Sequence, residues 1–235
     1  MTLNFAHRGF SARYPENTML SFQKALEARC DGIELDVHLA RDGEIVVFHD
    51  ERLERLTNGK GFVKDMDYAE LRKLKVVSSE YIPTLEEYFD LVEKTPIITN
   101  IEMKNSNFTH DGMEEKIIKI VRRRKIEDKI ILSSLNHFSM LKCKKLAPEI
   151  HCGFAVWDWI IDVGAYTKKH GMDSIQPEHW SLTNEALAEI RSHGVAIHTY
   201  TVNDAQTMKK LISLGIDAIM TDEPEILHGV LTNTA

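Results

Sequence analysis

Short apolar, β-branched runs alternate with amphipathic stretches along most of the 235-residue chain. In the first such stretch Met19, Phe22, Ala25 and Leu26 recur at spacings of three and four, as on one helix face. Further helices are predicted at 84–94, 111–124, 136–147, 162–170, 183–192 and 204–214. The runs that indicate strands are NFAHR, DGIELDV, IVVFHD, PIITNIEMK, DKIILSS, HCGFAVW, DSIQPE, VAIHTYTV and DAIMT. This succession favours a parallel sheet covered by helices.

One run departs from the alternation. IVVFHD follows the second strand after only ARDGE, and Asp42-Gly43 between two alternating runs indicates a hairpin. A two-residue turn there would place Asp36 directly opposite His49. With this run set aside, eight parallel strands remain, and they favour a TIM (β/α)8 barrel over a doubly wound sheet.

The segment 51–83 interrupts the pattern after the second strand. It is polar and rich in turn residues, and its one good helical stretch is DYAELRKL. We predict a small insertion within a single barrel domain that spans 1–235; the alternative is a plain long loop, which is uncommon in compact domains.

Composition excludes several classes of protein. The net charge of −7 lacks the basic surplus expected of a general nucleic-acid binder. Three scattered cysteines argue against a disulfide framework or a zinc site and suit a reducing, cytoplasmic setting. No run approaches the roughly 18 apolar residues that span a membrane, so we expect no stable membrane association. We also expect no removable leader, because chemistry-bearing residues begin at His7.

Polar residues collect where the predicted strands end. The active sites of TIM barrels lie at that face, and alternating side chains place Glu34 with Asp36, and Glu102 with Lys104, on one face of their strands. The full set at these ends is His7, Arg8, Glu34, Asp36, Asn100, Glu102, Lys104, Ser133, Ser134, Gln176, Tyr200, Asn203 and Asp222.

Three carboxylates at one barrel mouth would repel one another. Glu34, Asp36 and Glu102 would be relieved by a hard divalent cation, Mg²⁺ or Ca²⁺, that takes oxygen ligands. The alternative is a set of separate salt bridges to Lys104 and Arg8.

Two histidines are expected at the same mouth. His49 beside Asp36, with His7 across from it, would form an acid–base pair around a bound phosphate. His38 shares the face of Asp36 and is a weaker candidate.

The motifs that carry these residues resemble a known family. HRGFSARYPENTMLSFQKALEARCDGIELDVHLARDGEIVVFHDERLERLTNGKG is similar to the N-terminal signature of the glycerophosphodiester phosphodiesterases, and IPTLEE, NIEMK, YTVND and MTDEP continue the match in order. The resemblance covers essentially the whole chain. It implies a TIM barrel with a small insertion after strand two. It also implies cation-dependent hydrolysis of glycerophosphocholine or glycerophosphoethanolamine to sn-glycerol 3-phosphate and an alcohol.

The resemblance also implies roles, motif by motif. The acid–base pair would be His7 and His49, the metal ligands Glu34, Asp36 and Glu102, and the phosphate binders Arg8 and Lys104. In PENT, Glu16 would orient Arg8 and Asn17 would cap the next helix. Further candidates for the substrate pocket, or for contacts that support the site from behind, are Glu16, Asn17, Gln176, Tyr200 and Asn203. The sequence departs from the family pattern at two positions. Met103 fills the middle of the E-[IV]-K triplet and is expected to point away from the mouth. Tyr200 stands where the family often has Trp, and this second departure leaves the leaving-group preference open.

Several alternatives remain open from the sequence. We expect His49 as acid and His7 as base, with either water or the neighbouring glycerol hydroxyl as nucleophile. Trp157, Trp159, Trp180 and Tyr200 would form a choline cage or, as we favour, pack the loops. A lysophospholipase D or phospholipase on the same barrel would work at a membrane. We see no exposed apolar loop at the mouth, which favours a small substrate. A non-enzymatic phosphodiester-binding domain on the same barrel would lack at least one catalytic residue, and none is missing from this sequence, so the sequence favours an enzyme. Oligomeric state is not specified.

Overall fold

The computed structural model describes residues 1–77 and 79–233, and within them the backbone forms nine strands. These are β1 Leu3–His7, β2 Gly32–Leu39, β3 Ile45–Val47, β4 Ile98–Met103, β5 Ile130–Ser134, β6 His151–Val156, β7 Ser174–Pro177, β8 Ala196–Thr199 and β9 Ala218–Thr221. All except β3 are parallel to their neighbours. Because β1 pairs with both β2 and β9, these strands close into a barrel, and the predicted TIM-like fold is confirmed.

Helices connect most of the strands. They are α1 Met19–Glu27, α2 Tyr68–Leu71, α3 Leu85–Val92, α4 Met113–Arg124, α5 His137–Leu146, α6 Val163–Lys169, α7 Asn184–Ser192, α8 Ala205–Ser213 and α9 Pro224–Asn233. The predicted helices are present within a few residues of their expected ends. The helix α9 is not among the helices predicted from the sequence, although Pro224 in its first position is a common helix start. Within the described ranges, no helix is both long and apolar enough to cross a membrane.

The hairpin between β2 and β3 has a different register from the one predicted. Val37 pairs with Val47, and the amide of Phe48 donates to the carbonyl of Asp36 at 3.0 Å. Asp36 therefore lies opposite Phe48, and the predicted pairing with His49 is wrong by one residue. The reason is the loop, which has three residues rather than two and ends at Gly43 with φ +86°.

The segment 51–83 contains a short 3₁₀ turn, Val63–Asp65, and the helix α2. Leu53, Val63 and Leu71 are fully buried there in an apolar cluster that also takes in Phe48, at the end of β3. The segment therefore has an apolar cluster and short helices, while its description as an insertion within a single domain stays a prediction. Ser78, within the predicted insertion, lies outside the described residues.

The apolar core lies mainly between the barrel and its helices. Side chains alternate along each strand, so Ala6 packs outward in this layer whereas Phe5 packs inward with Ile131 and Met220. Gly32 permits the close approach of β1 and β2, since a Cβ there would lie 2.4 Å from the ring of Phe5. The core thus holds the strand ends, and the polar residues on them, at one rim.

Candidate active site

A cavity of about 180 Å³ opens at the carboxyl ends of the barrel strands. The predicted site residues that line it are His7, Arg8, Glu34, His49, Glu102, Lys104, Gln176 and Tyr200. The wall also includes Trp157, which the sequence offered as a candidate for a choline cage, and Glu178, which the sequence did not indicate as a site residue. The structure therefore brings together side chains from seven different strands or the residues that follow them: β1, β2, β3, β4, β6, β7 and β8.

Three carboxylates form the floor of the site. Asp36 on β2 lies in register with Glu102 on β4, and one oxygen from each of Glu34, Asp36 and Glu102 lies within 4.8 Å of the others. Glu34 and Asp36 are buried. Burial, with repulsion from Asp36 and Glu102, raises the pKa of Glu34 well above its ordinary value. This is an electrostatically unfavourable arrangement without a cation.

Two basic side chains neutralise part of this charge. Lys104 Nζ donates to Glu102 Oε1 at 2.8 Å and lies 3.5 Å from Asp36 Oδ1, and Arg8 Nε lies 3.3 Å from Asp36 Oδ2. Burial acts to raise the pKa of Asp36, but Lys104 and Arg8 outweigh it and hold that pKa below its usual range. The salt bridges considered from the sequence are therefore present around Asp36 and Glu102.

Glu34 is not neutralised in this way. Its Oε2 accepts from the amide of Arg8 at 2.9 Å, whereas its buried Oε1 has no hydrogen-bond partner among the described residues. An unpaired buried carboxylate oxygen costs free energy unless an ion or a water satisfies it. The all-oxygen set of Glu34, Asp36 and Glu102 fits a hard divalent cation.

Arg8 is held in place by local backbone geometry. It adopts φ +57° just after β1, and Gly9 follows at φ +79° against the backbone of α1. The Arg8 guanidinium donates to Glu16 Oε1 at 2.8 Å, and Glu16 in turn accepts from Arg55. Glu16 thus orients Arg8, as the sequence suggested, and Arg55 supports it from the segment 51–83.

The His7 ring is anchored by one nitrogen. Nδ1 lies 2.6 Å from Asp222 Oδ1, while Nε2 points to the carboxylate floor, 3.9 Å from Glu34 Oε2. Ser11 and Asn203 also donate to Asp222. Burial opposes ionisation of Asp222, but the bond to His7 outweighs it and lowers the pKa to about 2. Asn203, a candidate from the sequence for the pocket or for a supporting contact, holds the carboxylate that anchors His7.

The His49 ring is anchored in the same manner. β3 ends at Val47, and a bend carries the ring to the cavity, where Nδ1 lies 2.6 Å from Asp50 Oδ1. Arg55 also donates to Asp50. Burial acts to raise the pKa of Asp50, but the hydrogen bonds from Arg55 and His49 outweigh burial and lower this pKa to about 2. Nε2 of His38 lies 3.1 Å from the backbone carbonyl oxygen of His49. Burial lowers the pKa of His38 to about 4, so its ring is neutral.

The remaining predicted residues support the site or pack around it. Asn17 Nδ2 donates to Asp36 Oδ2 at 2.8 Å; Thr18, one residue later, caps α1, so the expected capping role of Asn17 is wrong. Gln176 Nε2 donates to Asn100 at 2.9 Å. Tyr200 Oη donates to a backbone carbonyl of β6 at 3.0 Å.

Aromatic side chains surround the mouth, but they do not form one cage. Trp157 and Tyr200 line the catalytic cavity, whereas Trp159 packs against Trp180 with ring centroids 5.4 Å apart. Trp157 is 61% exposed and Ile161 is 89% exposed. The expectation of no exposed apolar loop at the mouth is therefore wrong, because nothing in the periodicity of a loop shows whether its apolar residues are covered.

Sequence reasoning missed Asp50, Arg55 and Glu178. Asp50 directly follows His49 in FHD, and that adjacency was a usable signal. Arg55 gave no signal, because its contacts to Glu16 and Asp50 depend on how the segment 51–83 folds back. Glu178 follows β7, and burial raises its pKa.

Comparisons with known proteins agree with this geometry. Residues 7–226 match the model of the glycerophosphoryl diester phosphodiesterase family. The chain is 39% identical to a glycerophosphodiester phosphodiesterase of Bacillus altitudinis and 38% identical to one of Caldanaerobacter subterraneus, with 96% of each chain covered. It resembles the structure of an Oleispira antarctica phosphodiesterase in complex with the product sn-glycerol-3-phosphate, with a TM-score of 0.89 and 28% identity over 97% of this chain and 96% of that one.

Proposed function

This chain belongs to the glycerophosphoryl diester phosphodiesterase family, and we propose that it hydrolyses glycerophosphocholine, glycerophosphoethanolamine or similar diesters. The products would be sn-glycerol 3-phosphate and the alcohol. One observation carries the proposal: two histidines, each held through Nδ1 by an aspartate, lie at the same cavity as three clustered carboxylates. The product bound by the Oleispira antarctica relative supports the same substrate class.

The carboxylates would hold the metal and the basic residues would hold the phosphate. Glu34, Asp36 and Glu102 would bind one Mg²⁺ or Ca²⁺, which when bound would neutralise charge on the phosphodiester. Lys104 and Arg8 lie beside these carboxylates and would donate to the phosphate oxygens, adding fixed positive charge where negative charge builds up on phosphorus.

The two anchored histidines would move the protons. With Nδ1–H bonded to aspartate, each ring directs Nε2 towards the cavity, where it accepts or donates a proton according to its charge. His7 would take a proton from the nucleophile as that oxygen bonds to phosphorus. His49 would give a proton to the alcohol oxygen as the P–O bond breaks. The same pair would serve water or the neighbouring glycerol hydroxyl; the latter would form a cyclic phosphate that water then opens.

The test is an assay of sn-glycerol 3-phosphate release from glycerophosphocholine, with EDTA and then with added Mg²⁺ or Ca²⁺. We expect His49→Asn and Glu34→Gln each to reduce turnover by about 10²–10⁴-fold while far-UV circular dichroism and Tm remain close to wild type. His228→Asn, on α9, is the matched control and should keep full activity. Near-wild-type turnover of either site variant, or full activity in EDTA, would contradict the proposal.

A further inference from the structure

Glu178 is a carboxylate at the catalytic cavity that has no role in the proposed chemistry. It directly follows β7, and its backbone carbonyl accepts from the amide and the hydroxyl of Ser181 at 3.0 and 2.8 Å. The amide of the next residue, His179, donates to the carbonyl of Tyr200 at 2.9 Å. These bonds fix the backbone at the rim, and the side chain of Glu178, which is 13% exposed, lines the cavity.

The barrel places Glu178 across the cavity from the clustered carboxylates. In the closed ring of strands, β7 is reached from β2 through β4, β5 and β6 on one side and through β1, β9 and β8 on the other. Glu34 and Asp36 lie on β2, whereas Arg8 and Lys104 follow its two neighbours, β1 and β4. A phosphate bound at those side chains would leave one of its two alcohols to extend towards Glu178.

The charge of Glu178 is poorly compensated. Among the residues that the structure describes, the one basic nitrogen within 4 Å of its carboxylate is His179 Nδ1, at 4.0 Å. Burial raises the pKa of Glu178, because the carboxylate loses solvent without gaining a strong cationic partner. A ligand that brings a positive charge to this side of the cavity would supply that partner.

Aromatic surface lies beside Glu178. Trp157 and Tyr200 line the same cavity, and Tyr200 is bridged to Glu178 in parallel register. Tyr200 Oη already donates to the carbonyl of Val156 at 3.0 Å, so this residue contributes ring surface rather than a free donor. Aromatic faces attract ammonium groups, including quaternary ones that donate no hydrogen bond. A carboxylate next to such rings is therefore suited to an organic cation.

We propose that Glu178 is a specificity-determining residue that recognises the positive charge of the head-group alcohol. This inference rests on the proposed function and concerns which diesters it selects: those of amino and quaternary ammonium alcohols over those of neutral alcohols. Arg8 and Lys104 repel an ammonium group from the side of β1 and β4, and Glu178 attracts it to the side of β7.

The test compares two diesters of the same shape. Glycerophosphocholine has a quaternary nitrogen where the glycerophosphodiester of 3,3-dimethylbutanol has a quaternary carbon, so the second substrate is uncharged at that position. We expect Glu178→Gln to lower the ratio of kcat/KM for the choline diester to that for the dimethylbutyl diester by about 10- to 100-fold. The unequal reactivity of the two alcohols cancels when the ratio in the variant is divided by that in wild type.

Two further variants separate the position of the charge from its presence. Glu185→Gln removes the same charge from an exposed residue in the first turn of α7, outside the catalytic cavity, and should keep the wild-type ratio. Glu178→Asp keeps the charge and should retain most of the preference for choline. Equal losses in Glu178→Gln and Glu185→Gln would show that the net charge of the chain attracts the cation, and the assignment would fall.

The competing role for Glu178 is to accept a hydrogen bond from a glycerol hydroxyl. Both diesters carry the same glycerol, so in that case Glu178→Gln would slow both equally. An unchanged ratio would thus overturn this inference and leave the proposed function intact. Hydrolysis of neither diester by wild type would count against the proposed function instead.

A binding measurement tests the inference even if no diester is hydrolysed. Choline should change the intrinsic tryptophan fluorescence saturably in wild type and in Glu185→Gln, because Trp157 lines the cavity. Glu178→Gln should require about tenfold more choline or beyond, while far-UV circular dichroism stays close to wild type. No saturable response in wild type, or the same choline affinity in Glu178→Gln, would overturn the assignment.

Discussion

Asp222 offers the sharpest test of how the site positions His7. Its Oδ1 accepts from Ser11 and contacts His7 Nδ1 at 2.6 Å, while its Oδ2 accepts from Asn203 at 2.7 Å. In Asp222→Asn one of these two oxygens is replaced by an NH₂ group, which is a hydrogen-bond donor. That group would then face either the donors on the side of His7 and Ser11 or the amide donor of Asn203, and the hydrogen bonds on that side would be lost. Losing a hydrogen bond to a charged group costs about 1.5–3 kcal/mol, which corresponds to roughly a 10- to 150-fold loss of rate.

We therefore expect kcat for glycerophosphocholine to fall by that factor in Asp222→Asn with KM nearly unchanged, because Asp222 acts on the ring of His7 rather than on substrate. The control is Asp204→Asn. Asp204 caps α8 by accepting from the amide of Thr207 at 2.8 Å, and asparagine caps as well. Steady-state kinetics with metal in excess measure both variants. An Asp222→Asn enzyme within twofold of wild type would refute the role assigned to this carboxylate.

Three further variants probe the supports of the site and the barrel. Burial lowers the pKa of His198 to about 3, so as the pH falls the unfolded chain binds a proton at this histidine before the folded chain does, and stability is lost below about pH 6.5. Between pH 7 and 5 this group should lower the free energy of unfolding by about 2 kcal/mol. In urea titrations, His198→Gln should therefore show a weaker dependence of the unfolding free energy on pH. Gly9→Ala should lower the unfolding free energy by about 1–3 kcal/mol, because φ is +79° and a Cβ would lie 2.7 Å from a backbone carbon of α1. Arg55→Lys, which loses the forked contacts to Glu16 and Asp50, should reduce kcat/KM about tenfold or more.

Each of these variants has a control or a contradicting outcome. Gly61→Ala also has a positive φ, but nothing lies within 4 Å of its Cβ, so it should destabilise less than Gly9→Ala. Arg52→Lys changes an exposed arginine that bonds to Glu54, and it should leave kinetics unchanged. Equal losses within either pair would contradict the reasoning. If the unfolding free energy of His198→Gln falls with pH as steeply as that of wild type, the role assigned to His198 is contradicted.

The periodicity of the sequence favours the barrel. Strands that alternate with helices of apolar spacing three and four favour a parallel sheet with helices outside, and closure of that sheet brings all the carboxyl ends to one rim. For that reason His7, Glu34 and Glu102 could be expected at a common site although they lie far apart in sequence. The structure places them at the same cavity.

The tertiary structure decided what periodicity does not encode. The register of His49 depends on a loop of three residues rather than two, and the loop conformation is set by Gly43. Asp222 reaches His7 across 215 positions of sequence, and Arg55 reaches Glu16 across 39.

Contacts of that kind arise where separate loops meet above the rim. Loops have no repeating pattern, and their side-chain partners are determined by how the chain folds back in space. The sequence by itself thus indicated most of the residues that reach the rim, and the fold decided which partners hold them there.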